Sequence, residues 1–225
     1  MADELCEKHD NIVSFIHQIS SRKAAIAIGE SEKCLKGMQW IEDTIGPFAF
    51  NISASSFFQT NTRAVKHLYE TVKKYTQLKP TDNALDLFCG TGTIAIWLSD
   101  QCNSVVGIDS TPDAISNAHQ NCEKNHITNC QFICFDIKDS LPKLEKKVDV
   151  IIMDPPRAGT HPKAINQILS LDARRIIYVS CNPSTLARDL SLMNSDYKVI
   201  EIQPVDMFPH TFHIESVALL EKKKD

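Results

Sequence analysis

The sequence predicts an α/β fold on a doubly wound, mostly parallel sheet, and three observations predict it. From about residue 84, short runs of β-type apolar residues alternate with helical stretches, the pattern of βαβ units. One run, Val148-Asp149-Val150-Ile151-Ile152-Met153, is almost continuously apolar, as a central strand covered on both faces must be. Pro112, Pro162 and Pro183 each stand near a helix start, where a missing backbone N–H is tolerated.

Residues 1–80 read as a partial region, a small α+β appendage too loosely patterned to be a full independent domain. In it a helix is expected over Asn11–Ser21, strands over Ala24–Ile28 and Phe48–Ser53, and a helix over Arg63–Tyr75. The last is amphipathic, with Val65, Leu68, Tyr69 and Val72 at helical spacing. Pro80-Thr81-Asp82 marks the entry to the second unit, residues 81–225. Strands are expected there at Ala84–Phe88, Val105–Ile108, Cys130–Phe135, Val148–Met153 and Ile176–Val179, with helices at Pro112–Lys124, Pro162–Leu169 and Pro183–Leu192. Lys198–Val205 and Ile214–Leu220 alternate with no helix between them, which predicts a terminal antiparallel hairpin.

At 225 residues, with 43% hydrophobic and 23% charged composition, the chain has an ordinary globular profile. No stretch approaches the roughly 18 apolar residues of a membrane span, and Met1-Ala2-Asp3-Glu4 lacks the basic start of a secretion signal. Membrane and secreted classes are therefore set aside, and a reducing, cytoplasmic location is expected. The eight cysteines include no C-x-x-C pair, and the histidines are scattered, so no metal site is expected. Most of these cysteines should be small buried hydrophobes. A net charge of −4 without a basic stripe predicts weak nucleic-acid affinity for this chain by itself. Arg63, Lys66, Lys73 and Lys74 read as a solvated helix face.

Ala84-Leu85-Asp86-Leu87-Phe88-Cys89-Gly90-Thr91-Gly92-Thr93 runs from a strand through a glycine turn into a helix. Such a turn lets a ligand approach the backbone closely. Asp109, at the end of the next strand, can accept hydrogen bonds from both hydroxyls of a ribose. Gly90 to Ala95 also satisfies the dinucleotide pattern, and a turn with no ligand is a third reading. Asp86 favours S-adenosylmethionine, because a carboxylate there would meet an ammonium group but repel a pyrophosphate. The fourth strand then ends in Asp154-Pro155-Pro156-Arg157, at the carboxyl edge where open sheets bind ligands.

Cys181 follows the fifth strand, in Ser180-Cys181-Asn182-Pro183, on that same edge. Beside a helix N-terminus its thiolate is expected to be favoured, which makes it a candidate nucleophile as well as a candidate structural cysteine. Cys89 is expected to pack beneath the glycine loop.

Taken together, five segments resemble the RNA 5-methyluridine methyltransferases, S-adenosylmethionine-dependent enzymes acting on uridines of ribosomal or transfer RNA. They are Phe57-Phe58-Gln59-Thr60-Asn61, Asp86 to Gly92, Asp154 to Gly159, Ser180 to Asp189, and Asp206 to Ser216, covering about residue 45 onward. The resemblance implies a Rossmann-like methyltransferase sheet. It assigns Cys181 as the nucleophile that adds to uracil C6 and Glu215 as the base that removes the C5 proton. It further implies cofactor contacts from Gln59, Phe88, Gly90, Thr93, Asp109, Asp136 and Asp154, the last also reaching the target base. Arg157 and Arg188 reach phosphates or form surface ion pairs.

Fuller members of that family carry an RNA-binding barrel, or another such module, with no counterpart in this sequence. A structured RNA partner is thus expected to need a binding region outside this chain, and the chain itself is expected to be a monomer. Two other functions compete: amino-group methylation of an RNA base, which needs no cysteine nucleophile, and a non-catalytic RNA-binding module that keeps the cofactor pocket.

Overall fold

A computed structural model describes residues 2–20, 29, 31–138, 141, 144 and 147–224. Its centre is a seven-stranded sheet. The strands are β5 (Asn83–Leu87), β6 (Ser104–Asp109), β7 (Cys130–Cys134), β8 (Val150–Met153), β9 (Arg175–Ser180), β10 (Tyr197–Val205) and β11 (Glu215–Lys222). They lie in the order β10-β11-β9-β8-β5-β6-β7. The five from β7 to β9 are parallel, while β11 runs antiparallel to β9 and to β10. Chain order reverses between β5 and β8, and the carboxyl ends of strands at such a switch point are where open sheets bind ligands.

Two apolar layers sandwich the sheet because successive strand residues point to opposite faces. Ile152, Ile177, Val179, Val217 and Leu219 face one layer. Helices α2 (Thr62–Thr76), α3 (Thr93–Leu98) and α4 (Pro112–Lys124) cover it. Ile151, Met153, Ile176, Tyr178, Ala218 and Leu220 face the other, under α5 (Pro162–Ser170) and α6 (Pro183–Met193). Every residue of β8 is buried, as its unbroken apolar run predicts. The expected strands, helices and terminal hairpin of this unit are all present. Among the described residues, no helix is long and apolar enough to cross a membrane.

The N-terminal part comprises α1 (Ala2–Lys8), a hairpin of β1 (Ser14–Ile19) and β2 (Ser31–Gly37), and a hairpin of β3 (Trp40–Ile45) and β4 (Phe48–Ser53). The helix expected over Asn11–Ser21 is instead strand β1. Its ladder with β2 shifts register between Phe15 and Ile16. The unpaired residue is Leu35 of β2, opposite the Phe15–Ile16 step. The strand expected over Ala24–Ile28 lies outside the described residues. Strand β4 is docked on α4 by two asparagines. Asn121 Oδ1 accepts from the Asn51 N–H at 2.8 Å, and Asn125 Oδ1 accepts from the Ala49 N–H at 2.9 Å.

The cysteines depart from expectation. Only Cys89, Cys102 and Cys122 are buried; Cys134 is exposed, and Cys6, Cys34, Cys130 and Cys181 are partly exposed. Several sit at strand or helix ends, where one side of the thiol meets solvent.

Candidate active site

The carboxyl edge of the sheet gathers the candidate residues. Phe88, Asp109, Asp136, Asp154 and Cys181 each end or directly follow a parallel strand there, and Glu215 begins antiparallel β11 at the same edge. Ser216 pairs with Ser180 in the β11–β9 ladder. Glu215 and Cys181 each lie one residue beyond that pair, and the charge of Glu215 reaches the Cys181 thiol. The β8 ladder places Met153 beside Tyr178 of β9, so Asp154 leaves the sheet next to the strand that delivers Cys181.

The glycine loop carries local strain. Phe88 holds φ +62, a left-handed conformation disfavoured for a side chain with a Cβ. Asp109 fixes the loop from the adjacent strand, accepting from the Gly90 N–H at 3.0 Å and the Thr111 N–H at 2.8 Å. A Cβ built on Gly90 would meet nothing within 4 Å, so open space lies over the loop. Beneath it, Asp86 is fully buried. Its Oδ2 accepts from the Ala95 N–H at 3.0 Å, while its Oδ1 has no partner. Burial, and then the charge of Asp154, push the Asp86 carboxyl well above the usual range. Cys89 packs in the core as expected.

Other contacts place the remaining members. Thr93 is partly buried, and its hydroxyl shares a 2.7 Å hydrogen bond with Tyr69 of α2. Gln59 is partly buried in the segment leading to α2. Asn61 anchors that segment twice: Oδ1 caps the Ala64 N–H at 3.1 Å, and Nδ2 donates to the Met207 carbonyl at 2.7 Å. The second bond ties the Gln59 segment to the loop that leads into Glu215. Asp136 pairs with Lys138, whose ammonium holds this carboxyl below its ordinary value.

A buried network fixes the loop after β8 against α6. Asp189, fully buried, accepts from the Thr160 N–H at 2.7 Å, the Tyr178 hydroxyl at 2.6 Å and Arg188 Nε at 2.8 Å. Arg188 Nη2 also donates to the Ala158 carbonyl at 2.9 Å, so this arginine is held in an ion pair with Asp189 while half its side chain stays exposed. Gly159 is required between them. Its φ is +77, and a Cβ there would lie 2.4 Å from Arg188 Nη2 and 2.6 Å from Asp189 Oδ2. Asn182 Nδ2 and Thr185 Oγ1 both donate to the Arg157 carbonyl at 3.2 Å. The loop bearing Asp154 and Arg157 is thereby held against the turn bearing Cys181. Sequence reasoning missed this network because Asp189 and Tyr178 look like a surface acid and an ordinary strand aromatic.

The electrostatics reverse one expectation. Burial, then the charges of Glu215 and Asp154, push the Cys181 thiol up, and Arg157 only partly opposes them. Asn182 Oδ1 caps α6 by accepting from the Ser184 N–H at 3.0 Å. Burial also raises Glu215, against Arg157.

Asp154 is pushed up to about 7, chiefly by burial and then by Glu215, from an ordinary 3.8. The folded state thus keeps this proton where the unfolded chain has lost it. Stability from this group is whole below the unfolded value and declines as pH rises through the folded one. Asp154→Asn cannot ionise. Its melting temperature relative to the parent is expected to be higher by about 3 °C or more at pH ~8.5 than at pH ~5. Melting curves at the two pH values check this, and an equal offset at both contradicts it.

Comparison with known proteins places the chain. Residues 21–223 match the family model described as tRNA (uracil-5-)-methyltransferase. A Chlorobaculum tepidum protein named only as an uncharacterized RNA methyltransferase is 40% identical over 216 residues, 93% of this chain and 45% of its own length. A Bacillus cereus protein of the same description is 36% identical over 223 residues, 97% of this chain and 49% of its own. The chain therefore spans about half the length of the curated relatives it matches. The crystal structure of Pyrococcus abyssi tRNA (uracil-54, C5)-methyltransferase in complex with S-adenosyl-L-homocysteine superposes with a TM-score of 0.78 at 32% identity. That match covers 96% of this chain and 52% of the other.

Proposed function

Because the chain belongs to the tRNA (uracil-5-)-methyltransferase family, we propose that it transfers a methyl group from S-adenosylmethionine to C5 of a uridine in RNA. The observation that carries this reading is that Cys181 and Glu215 each lie one residue past the Ser216–Ser180 pair, on the edge that also holds Asp154 and the glycine loop.

The residues present fit the cofactor. Open space over Gly90 admits a ligand against the backbone, and the unpartnered buried Oδ1 of Asp86 suits a nearby ammonium. Asp109 offers acceptor lone pairs to ribose hydroxyls, and Gln59 offers an amide that both donates and accepts. Phe88, Thr93, Asp136 and Asp154 complete the set. When bound, the cofactor supplies an electrophilic methyl group and departs as a neutral thioether.

The protein's own groups make uracil C5 able to accept that methyl. Cys181, as thiolate, forms a bond to C6, and the C5–C6 electron pair moves toward the C4 oxygen as an enolate. The enolate returns its electrons through C5 as the new carbon–carbon bond forms. Glu215 then takes the C5 proton, the pair re-forms the C5–C6 double bond, and the C6–S bond breaks to release the thiolate. One proton leaves per methyl gained. Asp154, whose carboxyl burial and Glu215 push up to about 7, serves while protonated as a hydrogen-bond donor toward the base.

Methyl-labelled S-adenosylmethionine and unmodified tRNA and rRNA transcripts test the proposal. Nuclease digestion should place the label in 5-methyluridine. Label in an exocyclic amine, or none, overturns it.

A further inference from the structure

We infer that the ring of Phe212 is a stacking shelf for a nucleobase next to the uridine that enters the site, an inference that rests on RNA being the substrate. Among the described residues with large exposed apolar side chains, the aromatic members are Phe57, 71% exposed, and Phe212, 90% exposed. The others are aliphatic and lie elsewhere, apart from Ile214. Phe57 is two residues from Gln59, Phe212 is three from Glu215, and the Asn61–Met207 hydrogen bond joins their segments. Exposed aromatic surface is thus concentrated at the mouth of the site.

The Phe212 loop is held in shape. Phe208 N–H donates to Asp206 Oδ1 at 3.2 Å, and the Phe208 carbonyl accepts from both the N–H and the hydroxyl of Thr211 at 2.9 Å. His213 N–H donates to Thr211 Oγ1 at 3.1 Å. The phenyl ring leans on the His213 imidazole, with centroids 4.3 Å apart and planes inclined by 44°. A phenyl group kept in water on a hydrogen-bonded loop offers a flat π face, already oriented, to an outside partner. A nucleobase suits it, since every base has a π face and stacking ignores sequence. Stacking also suits a chain with a net charge of −4, which has little charge to hold phosphates. A base beside the target loses its neighbour when the uridine leaves the stack, and an aromatic face replaces that contact.

The test measures equilibrium anisotropy of a fluorescein-labelled RNA hairpin with a uridine-containing single-stranded loop, alongside labelled-methyl incorporation. Phe212→Ala and Phe212→Leu should weaken binding roughly 5- to 150-fold, and Phe212→Trp should restore it. Melting temperature and S-adenosylmethionine affinity should stay at parental values. Parental binding by Phe212→Ala overturns the inference, as does absence of binding by the parent protein. Rescue by leucine equal to that by tryptophan also overturns it, since a merely apolar contact, such as another protein segment, would behave so. If the hairpin binding falls in Phe212→Ala while no methyl reaches C5, the shelf stands and the proposed chemistry fails.

Discussion

Replacing Cys181 with alanine is expected to abolish methyl transfer, lowering the rate by at least about 10⁴-fold, the scale on which covalent nucleophiles matter. The parent protein incubated with S-adenosylmethionine and 5-fluorouridine-substituted RNA should form a protein–RNA adduct that survives denaturant. Fluorine at C5 cannot leave as a proton, so the chemistry halts with sulfur still bonded to C6. Gel electrophoresis under denaturing conditions reads the adduct directly. Cys181→Ala must give none. Cys181→Ser must give little, because a serine hydroxyl is far less ionised than a thiol at neutral pH. Should Cys181→Ser retain parental activity, the reaction is amino-group methylation, which needs no covalent attachment.

The same step carries a pH signature. Burial and the carboxylates of Glu215 and Asp154 raise the Cys181 thiol above its ordinary value. The thiolate fraction therefore grows as pH rises through the alkaline range, and single-turnover adduct formation should accelerate with it. A bound cation near the sulfur would shift this profile to lower pH.

How much was legible in the sequence follows from where the physics is local. The parallel strands were readable because each is short and apolar, and three of them, β6, β8 and β9, are followed by a proline-started helix. Strand β1 was misread because Phe15, Ile16 and Ile19 stand at helix-like spacing in the sequence, and pairing with distant β2 overrides that local pattern. Strand β3, which closes on β4 through the two-residue turn Gly46-Pro47, was not expected, because Glu42, Asp43 and Thr44 interrupt its apolar residues.

Of the candidate site, the strand-end residues were legible because a carboxyl edge follows from topology alone. The supports were not. Asn61, Tyr69 and Asp189 act through partners 146, 24 and 29 residues away. Nothing local in their neighbourhoods announces those bonds. Cys181 shows the opposite failure: the helix start beside it was legible and was expected to favour the thiolate, but burial and the carboxylates of Glu215 and Asp154, which come from other strands, raise the thiol instead.

Glu215→Gln is expected to trap the reaction one step later. The amide cannot take the C5 proton, so methylated uridine should remain bonded to Cys181 on ordinary RNA, with turnover lowered by roughly 10²- to 10⁴-fold. Burial, opposed by Arg157, raises the Glu215 carboxyl, which strengthens it as a base while leaving it more easily silenced by acid. Parental turnover should accordingly fall as pH drops through that raised value, because the protonated acid cannot accept a second proton. Adduct accumulation should rise over the same interval. The Gln variant, lacking this ionisation, should lose the acid limb and keep a constant adduct fraction. An alternative base, such as His213, would leave Glu215→Gln turning over normally and the acid limb intact. Rescue of Gln turnover by added formate, a small carboxylate, would place the missing function in proton abstraction; no rescue together with a lowered affinity for RNA would instead make Glu215 a binding residue.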